Sequence, residues 1–139
     1  MISCGQVKIK TSGLLPAGIR YRGPVFLTIH KALRDGELSG DLDIRILSAE
    51  FGLLTPLTPI PWYDRRMDSA RARELRADVL KSLDEIEEPK ECLLTWGKDY
   101  RECCDTRDLR ERWPGCKITD LRGRSYLGIL SEVKKWVRM

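Results

Sequence analysis

The strongest constraint on the fold is an alternation of short apolar segments with longer amphipathic ones along the chain. Residues 41–49 have the clearest strand pattern, with apolar residues first alternating and then consecutive. Further short strands are predicted at residues 1–4, 92–96 and 116–121. Because a strand is followed by a helix four times, and parallel neighbours need such crossovers, the sheet should be mainly parallel. We therefore expect one α/β domain over residues 1–139, with a four- to five-stranded sheet flanked by helices on both faces.

Capping residues and apolar stripes mark the helices between these strands. Pro24 suits the first turn of one helix, and Asp68 can cap the next. Residues 100–113 are predicted as a charged helix and residues 126–137 as an amphipathic one. The helix that follows Asp68 has a buried stripe at three- or four-residue steps, formed by Ala72, Leu75, Val79, Leu83 and Ile86.

The composition narrows the range of partners. The chain has 25 Lys and Arg against 21 Asp and Glu, a net charge of +4, which permits a phosphate-bearing partner without requiring one. The longest uncharged run, around residues 51–63, contains three prolines, so we expect no membrane span. Five cysteines without an export signal indicate reduced thiols and a cytoplasmic protein. The absence of a Cys-x-x-Cys pair and the single His30 argue against a metal site, and no cofactor is expected.

The carboxyl ends of the predicted strands are the expected location of a ligand site, because ligands of open parallel sheets bind there. Four loops would meet at that edge: residues 5–22, 48–67, 97–100 and 121–126. Residues 50–67 contain Pro56, Pro59 and Pro61, which exclude a helix and favour a rigid, extended loop. This loop is suited to hold Tyr63 and Asp64 at a fixed position, although a loop that merely packs over the sheet edge fits the pattern equally well.

Two carboxylates are the candidate catalytic residues. Asp64, on the stiff loop beside Tyr63, is suited to activate a water molecule or to stabilise a developing cation, as in the hydrolysis of an N-glycosidic bond. Glu50, shortly after the strand, is its candidate partner.

The candidate ligand-binding residues lie in the same loops. The tyrosines and Trp62 can stack on a base, while Lys8 and Arg124 can hold a phosphate. Each of these residues also has a structural explanation. The aromatic residues could pack in the core, Arg124 could be a solvated surface charge, and Cys4 could be a buried structural thiol. The predicted set comprises Cys4, Lys8, Tyr21, Ser48, Gly52, Tyr63, Gly97, Tyr100 and Arg124.

Several of these residues form a pattern that resembles the YaaA family of peroxide-stress proteins, and more closely its short uncharacterised relatives. The family's signature Leu-Ser-Ala-x-aromatic-Gly-Leu-x-x-Pro is matched at residues 47–56, and its later Pro-Tyr-Asp at residues 61–64 with Trp62 inserted. The resemblance spans residues 2–100. Its amino-terminal part is carried by Cys4, Lys8 or Lys10, Pro16-Ala17, Tyr21 and Phe26.

The resemblance implies an α/β fold and a link to nucleic-acid or nucleobase chemistry, since YaaA itself is associated with DNA binding under oxidative stress. We therefore expect a domain that binds a nucleotide, nucleobase or nucleic acid, with cleavage or exchange of an N-glycosidic bond as the favoured reaction. A non-catalytic DNA-binding stress protein and a protein-interaction module are the alternatives. The DNA-binding alternative rests on Arg65, Arg66, Arg71, Arg73 and Arg76. The oligomeric state is left open.

Overall fold

The computed structural model describes all 139 residues, Met1–Met139. The fold consists of helices that pack on small β-sheets. In chain order, the strands are β1 (Ile2–Ser3), β2 (Leu15–Pro16), β3 (Ile46–Ser48), β4 (Gly52–Leu54), β5 (Pro59–Ile60), β6 (Glu91–Leu94) and β7 (Lys117–Asp120). The helices are α1 (Ala17–Arg20), α2 (Pro24–Arg34), α3 (Ser69–Asp84), α4 (Thr106–Arg112) and α5 (Tyr126–Trp136), with a 3-10 turn at Lys98–Tyr100.

The strands form three small sheets. In the first sheet, β3 pairs in parallel with β1 and antiparallel with β4. The second sheet is the antiparallel pair of β2 and β5, and the third is the parallel pair of β6 and β7. The amine of Met1 donates to the carbonyl of Leu93 at 3.0 Å, and the N–H of Thr95 donates to the carbonyl of Met1 at 3.1 Å. The start of β1 therefore lies beside β6. The structure agrees with the predicted single α/β domain. It does not show the predicted four- to five-stranded, mainly parallel sheet, because the strands are divided among three sheets.

The proline-rich segment contains more regular structure than the sequence indicates. Residues 50–67 were expected to form an extended loop, but they contain β4 and β5. Gly52 has a φ of 76°, the left-handed conformation that glycine adopts freely, and its pairing with Ser48 closes a hairpin between β3 and β4. The expected helix over 100–113 is also shorter, because Asp105 caps α4 and the residues before it form turns.

The two longest helices were well predicted because their signals are local. The Asp68 carboxylate accepts the N–H of Arg71 at 2.7 Å and thereby caps α3. The buried residues of α3 are Ala72, Leu75, Val79 and Leu83, on one face. Pro24 occupies the first turn of α2, as expected. None of the helices combines the length and the apolar character that a membrane span needs.

Helices cover both faces of β6. Leu93 belongs to a small core with Ala32 of α2 and Val133 of α5, whereas Leu94 belongs to the main core with Leu83 of α3. Successive strand residues point to opposite faces, which explains this division. The carboxyl ends of β1, β3 and β6 are followed by Cys4, Ala49 and the turn that bears Tyr100, and these residues begin the candidate site.

Candidate functional site

Cys4 and Tyr100 connect the ends of two strands. The Tyr100 hydroxyl donates to the Cys4 carbonyl at 2.9 Å, and its oxygen lies 3.2 Å from the Cys4 sulfur. Since a phenol has one proton, and the carbonyl receives it, the Cys4 thiol is the donor to the Tyr100 oxygen. The N–H of Ala49 donates to the Cys4 sulfur at 3.4 Å. Cys4 is thus a buried residue whose contacts connect three chain segments.

Tyr21, Tyr63 and Ser48 form a second buried cluster at the same edge. The two tyrosine oxygens are 2.6 Å apart, and the Ser48 Oγ lies 3.0 Å from that of Tyr63. Ser48 Oγ accepts the N–H groups of Glu50 at 3.2 Å and Phe51 at 3.1 Å. Both of its lone pairs are therefore occupied, and its O–H must donate to Tyr63.

One phenolic proton of the Tyr21–Tyr63 pair has no acceptor in the protein. The contact between the two oxygens uses one of the two hydroxyl protons, and Ser48 has no lone pair left for the other. Both tyrosines are buried, so water cannot freely satisfy this donor. The pair consequently offers a hydrogen bond to a group that the chain does not itself supply.

Burial keeps these phenols neutral. It raises the pKa of Tyr21 to about 12, with the Ser48 and Tyr63 hydrogen bonds opposing the shift. It raises the pKa values of Tyr63 and Tyr100 as well, and proximity to the Cys4 sulfur acts in the same direction. At neutral pH all three hydroxyls are therefore hydrogen-bond donors and not phenolates.

Two lysines cover consecutive aromatic rings beside this cluster. The Lys8 ammonium lies 4.6 Å from the ring centroid of Tyr63, and the Lys10 ammonium 4.7 Å from that of Trp62. Such contacts are attractive because the ring face is electronegative. Burial lowers the pKa of Lys8, while the nearby Cys4 and Asp64 oppose this shift. We call this arrangement the lysine–aromatic ladder, formed by Lys8, Tyr63, Lys10 and Trp62.

Arg20 holds the loop that carries both lysines. Its side chain is fully buried, and Nη1 donates to the carbonyls of Ile9 at 2.8 Å and Thr11 at 3.2 Å. Nη2 donates to the carbonyls of Gly13 at 2.8 Å and Ile60 at 3.1 Å. Three of these carbonyls belong to the loop and the fourth to β5, so a single guanidinium anchors the ladder to the fold. The sequence indicates Arg20 only as one of several basic residues in this loop, and not its buried anchoring role.

A groove of about 300 Å³ lies at one end of the ladder, beside Lys10 and Trp62. It combines an aromatic ring, an ammonium and two hydroxyls, which are groups suited to an aromatic ligand with an anionic substituent. Trp62 and Phe51 are 37% and 39% exposed, and Phe51 packs edge-on against Tyr63 with the centroids 5.4 Å apart. These two rings are available for stacking, whereas the buried tyrosines are not. The groove is lined by Lys10, Thr11, Ser12, Gly13, Pro61 and Trp62.

The two candidate catalytic carboxylates lie beside the ladder and the tyrosine cluster but do not line the groove. Asp64 is exposed, forms no hydrogen bond or ion pair, and is close enough to Lys8 to influence its pKa. Glu50 is half-buried and ion-paired with Arg65 at 3.4 Å. Asp64 is therefore the carboxylate that is free to face a ligand, while Glu50 is partly neutralised.

The remaining predicted residues lie further from the cluster. A Cβ on Gly52 would face Val79 of α3, so this glycine serves the hairpin and does not contact the groove. Gly97 precedes the 3-10 turn and accepts the Tyr100 N–H through its carbonyl, which positions Tyr100. Arg124 is exposed before α5, and its side chain makes no hydrogen bond or ion pair with the cluster. No group of three or more His, Cys, Asp or Glu side chains is arranged to hold a metal ion.

An ion pair between buried Arg101 and partly buried Asp120 also escaped sequence analysis. Both terminal nitrogens of Arg101 contact the Asp120 carboxylate at 2.8 Å, and Arg101 also donates to the Trp96 carbonyl. Burial alone would raise the pKa of Asp120, but hydrogen bonds from Arg101 and Thr106 outweigh it and hold the pKa well below its usual range. This pair joins the carboxyl ends of β6 and β7.

The arginines of the DNA-binding alternative are mostly engaged within the protein. Arg71 donates to the carbonyls of Ala49 and Glu50 and supports the β3–β4 turn. Arg73 pairs with Glu102, Arg76 with Asp108 in a bidentate manner, and Arg65 with Glu50. Arg66 donates only to the Gln6 side chain. Most of the positive charge on this face is therefore already paired with acids or carbonyls.

No family model matches the chain, and neither the curated proteins nor the solved structures give a match. The resemblance to the YaaA family consequently stays a prediction, and function must be argued from the site itself.

Proposed function

We propose that the protein binds a nucleotide or another nucleobase-containing ligand at the lysine–aromatic ladder and its groove. The observation that carries the proposal is the unaccepted phenolic proton of the buried Tyr21–Tyr63 pair, with the Lys8 ammonium over the Tyr63 ring. The Lys10 ammonium covers the preceding ring, that of Trp62. A ligand for this site needs a hydrogen-bond acceptor, an aromatic face and negative charge. A nucleotide has all three.

The groups divide between the two parts of such a ligand. Exposed Trp62 and Phe51 provide faces for the base, and stacking on an aromatic residue contributes about 1–3 kcal/mol per base. Lys10, with the hydroxyls of Thr11 and Ser12, serves the phosphate. For this to happen, the Lys10 ammonium exchanges its contact with Trp62 for one with the phosphate.

For the reaction, we propose hydrolysis or exchange at the N-glycosidic bond. In hydrolysis, the bond between the sugar carbon and the base nitrogen breaks, the water oxygen bonds to the sugar carbon, and a water proton ends on the base. Asp64 stabilises the positive charge that develops on the sugar. The Tyr21–Tyr63 pair donates its one unaccepted hydroxyl to the departing base, which carries the electron pair of the broken bond.

We further propose that the strands form one continuous layer in the order β7, β6, β1, β3 and β4. The hydrogen bonds between Met1 and β6 support this ordering, as they bridge the two parallel pairs. In that layer, the loops after β1, β3 and β6 converge on one edge, which is where a ligand of a parallel sheet binds.

Titration with the four common ribonucleoside monophosphates, followed by ¹H–¹⁵N NMR, tests binding. We expect saturable shifts of the Trp62 indole signal, and affinity reduced about tenfold in Lys10→Ala, a loss of about 1.4 kcal/mol. Lys81→Ala is the matched control, since Lys81 is exposed on α3 and makes no ion pair. If none of the four nucleotides binds saturably, the proposal is wrong.

The reaction is tested separately by release of free base from a nucleotide that binds. Asp64→Asn should abolish release while leaving affinity within about twofold, and Asp78→Asn, an exposed position on α3, should have no effect. Binding without release in the unsubstituted protein would reduce the function to ligand binding. Full activity in Asp64→Asn would exclude this carboxylate from the mechanism.

A further inference from the structure

A cavity of about 190 Å³ lies at the opposite end of the strands from the tyrosine cluster. Its walls come from the starts of β1 and β6, from the segment before β3, and from α5. The candidate site lies past the carboxyl ends of β1, β3 and β6, so the two places share no residue. An inference about the cavity is therefore independent of the proposed function.

The interior of this cavity is mainly apolar, as 12 of its 19 lining residues are hydrophobic. Apolar cavities of roughly 150 Å³ are known to accept a benzene-sized molecule. The volume here is suited to one aromatic ring with a short chain, and two tryptophans provide flat apolar walls. The apolar lining includes Ile29, Leu42, Ile44, Ile86, Trp113 and Trp136.

The rim of the cavity is acidic, although the protein carries a net charge of +4. Four carboxylates line it against a single side-chain cation, Arg45, which is already bidentate with Asp43 at 2.7 and 3.0 Å. Glu91 has only a distant, exposed partner, Lys117 at 3.8 Å. Asp41 and Glu87 have no ion pair and are exposed. The rim thus has uncompensated negative charge next to an apolar interior.

The only other cationic group among the lining residues is already hydrogen-bonded within the fold. The amine of Met1 donates to the Leu93 carbonyl at 3.0 Å and takes part in the strand pairing. It does not bind the free carboxylates, which leaves Asp41 and Glu87 for an external cation.

We propose that this cavity binds a small organic cation with an aromatic body, of the arylalkylamine class, with its ring in the apolar interior and its ammonium at Asp41 and Glu87. Charge complementarity selects the cation, and cavity volume limits the body to about one ring. A neutral ligand of the same shape would gain the apolar burial but not the attraction to the rim.

Three probes with the same phenylethyl body test this directly: 2-phenylethylammonium, its isostere 2-phenylethanol, and the anionic 3-phenylpropanoate. We expect the ammonium to bind saturably, with ¹H–¹⁵N NMR shifts at the Trp136 indole, and the alcohol about tenfold more weakly. The carboxylate should not bind detectably. Added salt should weaken binding of the ammonium and leave that of the alcohol unchanged.

The double variant Asp41→Asn/Glu87→Gln should reduce affinity for the ammonium about tenfold and leave that for the alcohol unaltered. Asp78→Asn/Glu111→Gln removes the same charge from exposed positions elsewhere and should change neither affinity. Because all four side chains are exposed, these variants should fold. Equal affinity for ammonium and alcohol, no binding of either, or an undiminished affinity in the first variant would overturn the proposal.

Discussion

The Tyr100 hydroxyl donates a hydrogen bond to the Cys4 carbonyl at 2.9 Å, although the two residues are 96 positions apart in the chain. This bond fixes the 3-10 turn after β6 to the end of β1. It also determines the donor in the neighbouring contact, because the phenol has no second proton and the Cys4 thiol must donate to it. The strand-end edge is therefore assembled by polar contacts and not by apolar packing alone.

Tyr100→Phe should lower the free energy of unfolding by about 1–2 kcal/mol, since it leaves the Cys4 carbonyl without a donor and the Cys4 thiol proton without an acceptor in a buried place. Urea unfolding followed by circular dichroism measures the loss. Tyr126→Phe is the matched control, because Tyr126 is 58% exposed and has no hydrogen bond to lose. An equal stability of the two variants would mean that the Tyr100 bond is not formed.

Acid should destabilise the protein through Asp120. Burial raises the pKa of this group, but hydrogen bonds from Arg101 and Thr106 outweigh it, and the folded-state pKa lies below the unfolded value of about 3.9. A depressed pKa stabilises the fold above the unfolded value, and that contribution is lost as pH falls toward the folded one. Unfolding free energies measured from neutral pH down to acid should decline less steeply in Asp120→Asn than in the unsubstituted protein.

The same variant leaves Arg101 with a weaker set of partners, so at neutral pH it should cost about 2 kcal/mol or more. Replacing both members with apolar residues, as in Arg101→Met/Asp120→Leu, should be less harmful than Asp120→Asn alone, because no buried charge is left unpaired. If the double variant were less stable than Asp120→Asn, the ion pair would contribute more to stability than the neutralisation of its two charges.

Base should destabilise the protein through its buried tyrosines. Burial raises the pKa of Tyr21 to about 12, above the unfolded value of about 10. The corresponding stability is fully present below pH 10 and is lost as pH rises through the folded pKa. Tyr21→Phe should flatten this alkaline decline in urea unfolding. A single phenolate absorbance step near pH 10 in the folded protein would contradict the buried placement of these hydroxyls.

What the sequence predicted correctly depends on local signals. The Asp68 cap and the apolar stripe of α3 are contained within one helix, and the left-handed turn at Gly52 is a property of glycine itself. The convergence of Cys4 and Tyr100 followed from the general rule for strand ends. Short-range patterns and one topological rule were enough for these features.

The rest depends on contacts that no local pattern specifies. Arg20 is fully buried because four carbonyls surround it, yet in the sequence it is one basic residue of a polar loop. Arg101 and Asp120 are 19 positions apart and share no periodicity with their neighbours. The strand β5 was missed because Pro59 argues against a strand, and β4 because its three residues gain their pairing only from β3 in the folded protein.

Arg20 should control the order of the loop that carries Lys8 and Lys10. Arg20→Met removes four hydrogen bonds to carbonyls, so amide hydrogen exchange over residues 8–13 should be faster by at least tenfold, and stability lower by about 2–4 kcal/mol. If that variant does not fold, Arg20→Lys keeps the charge but loses the fork, and should accelerate exchange in the same segment. Arg22→Lys, at the exposed neighbouring arginine, is the control and should exchange like the unsubstituted protein. Unchanged exchange in the Arg20 variants would show that the loop holds its conformation without this guanidinium.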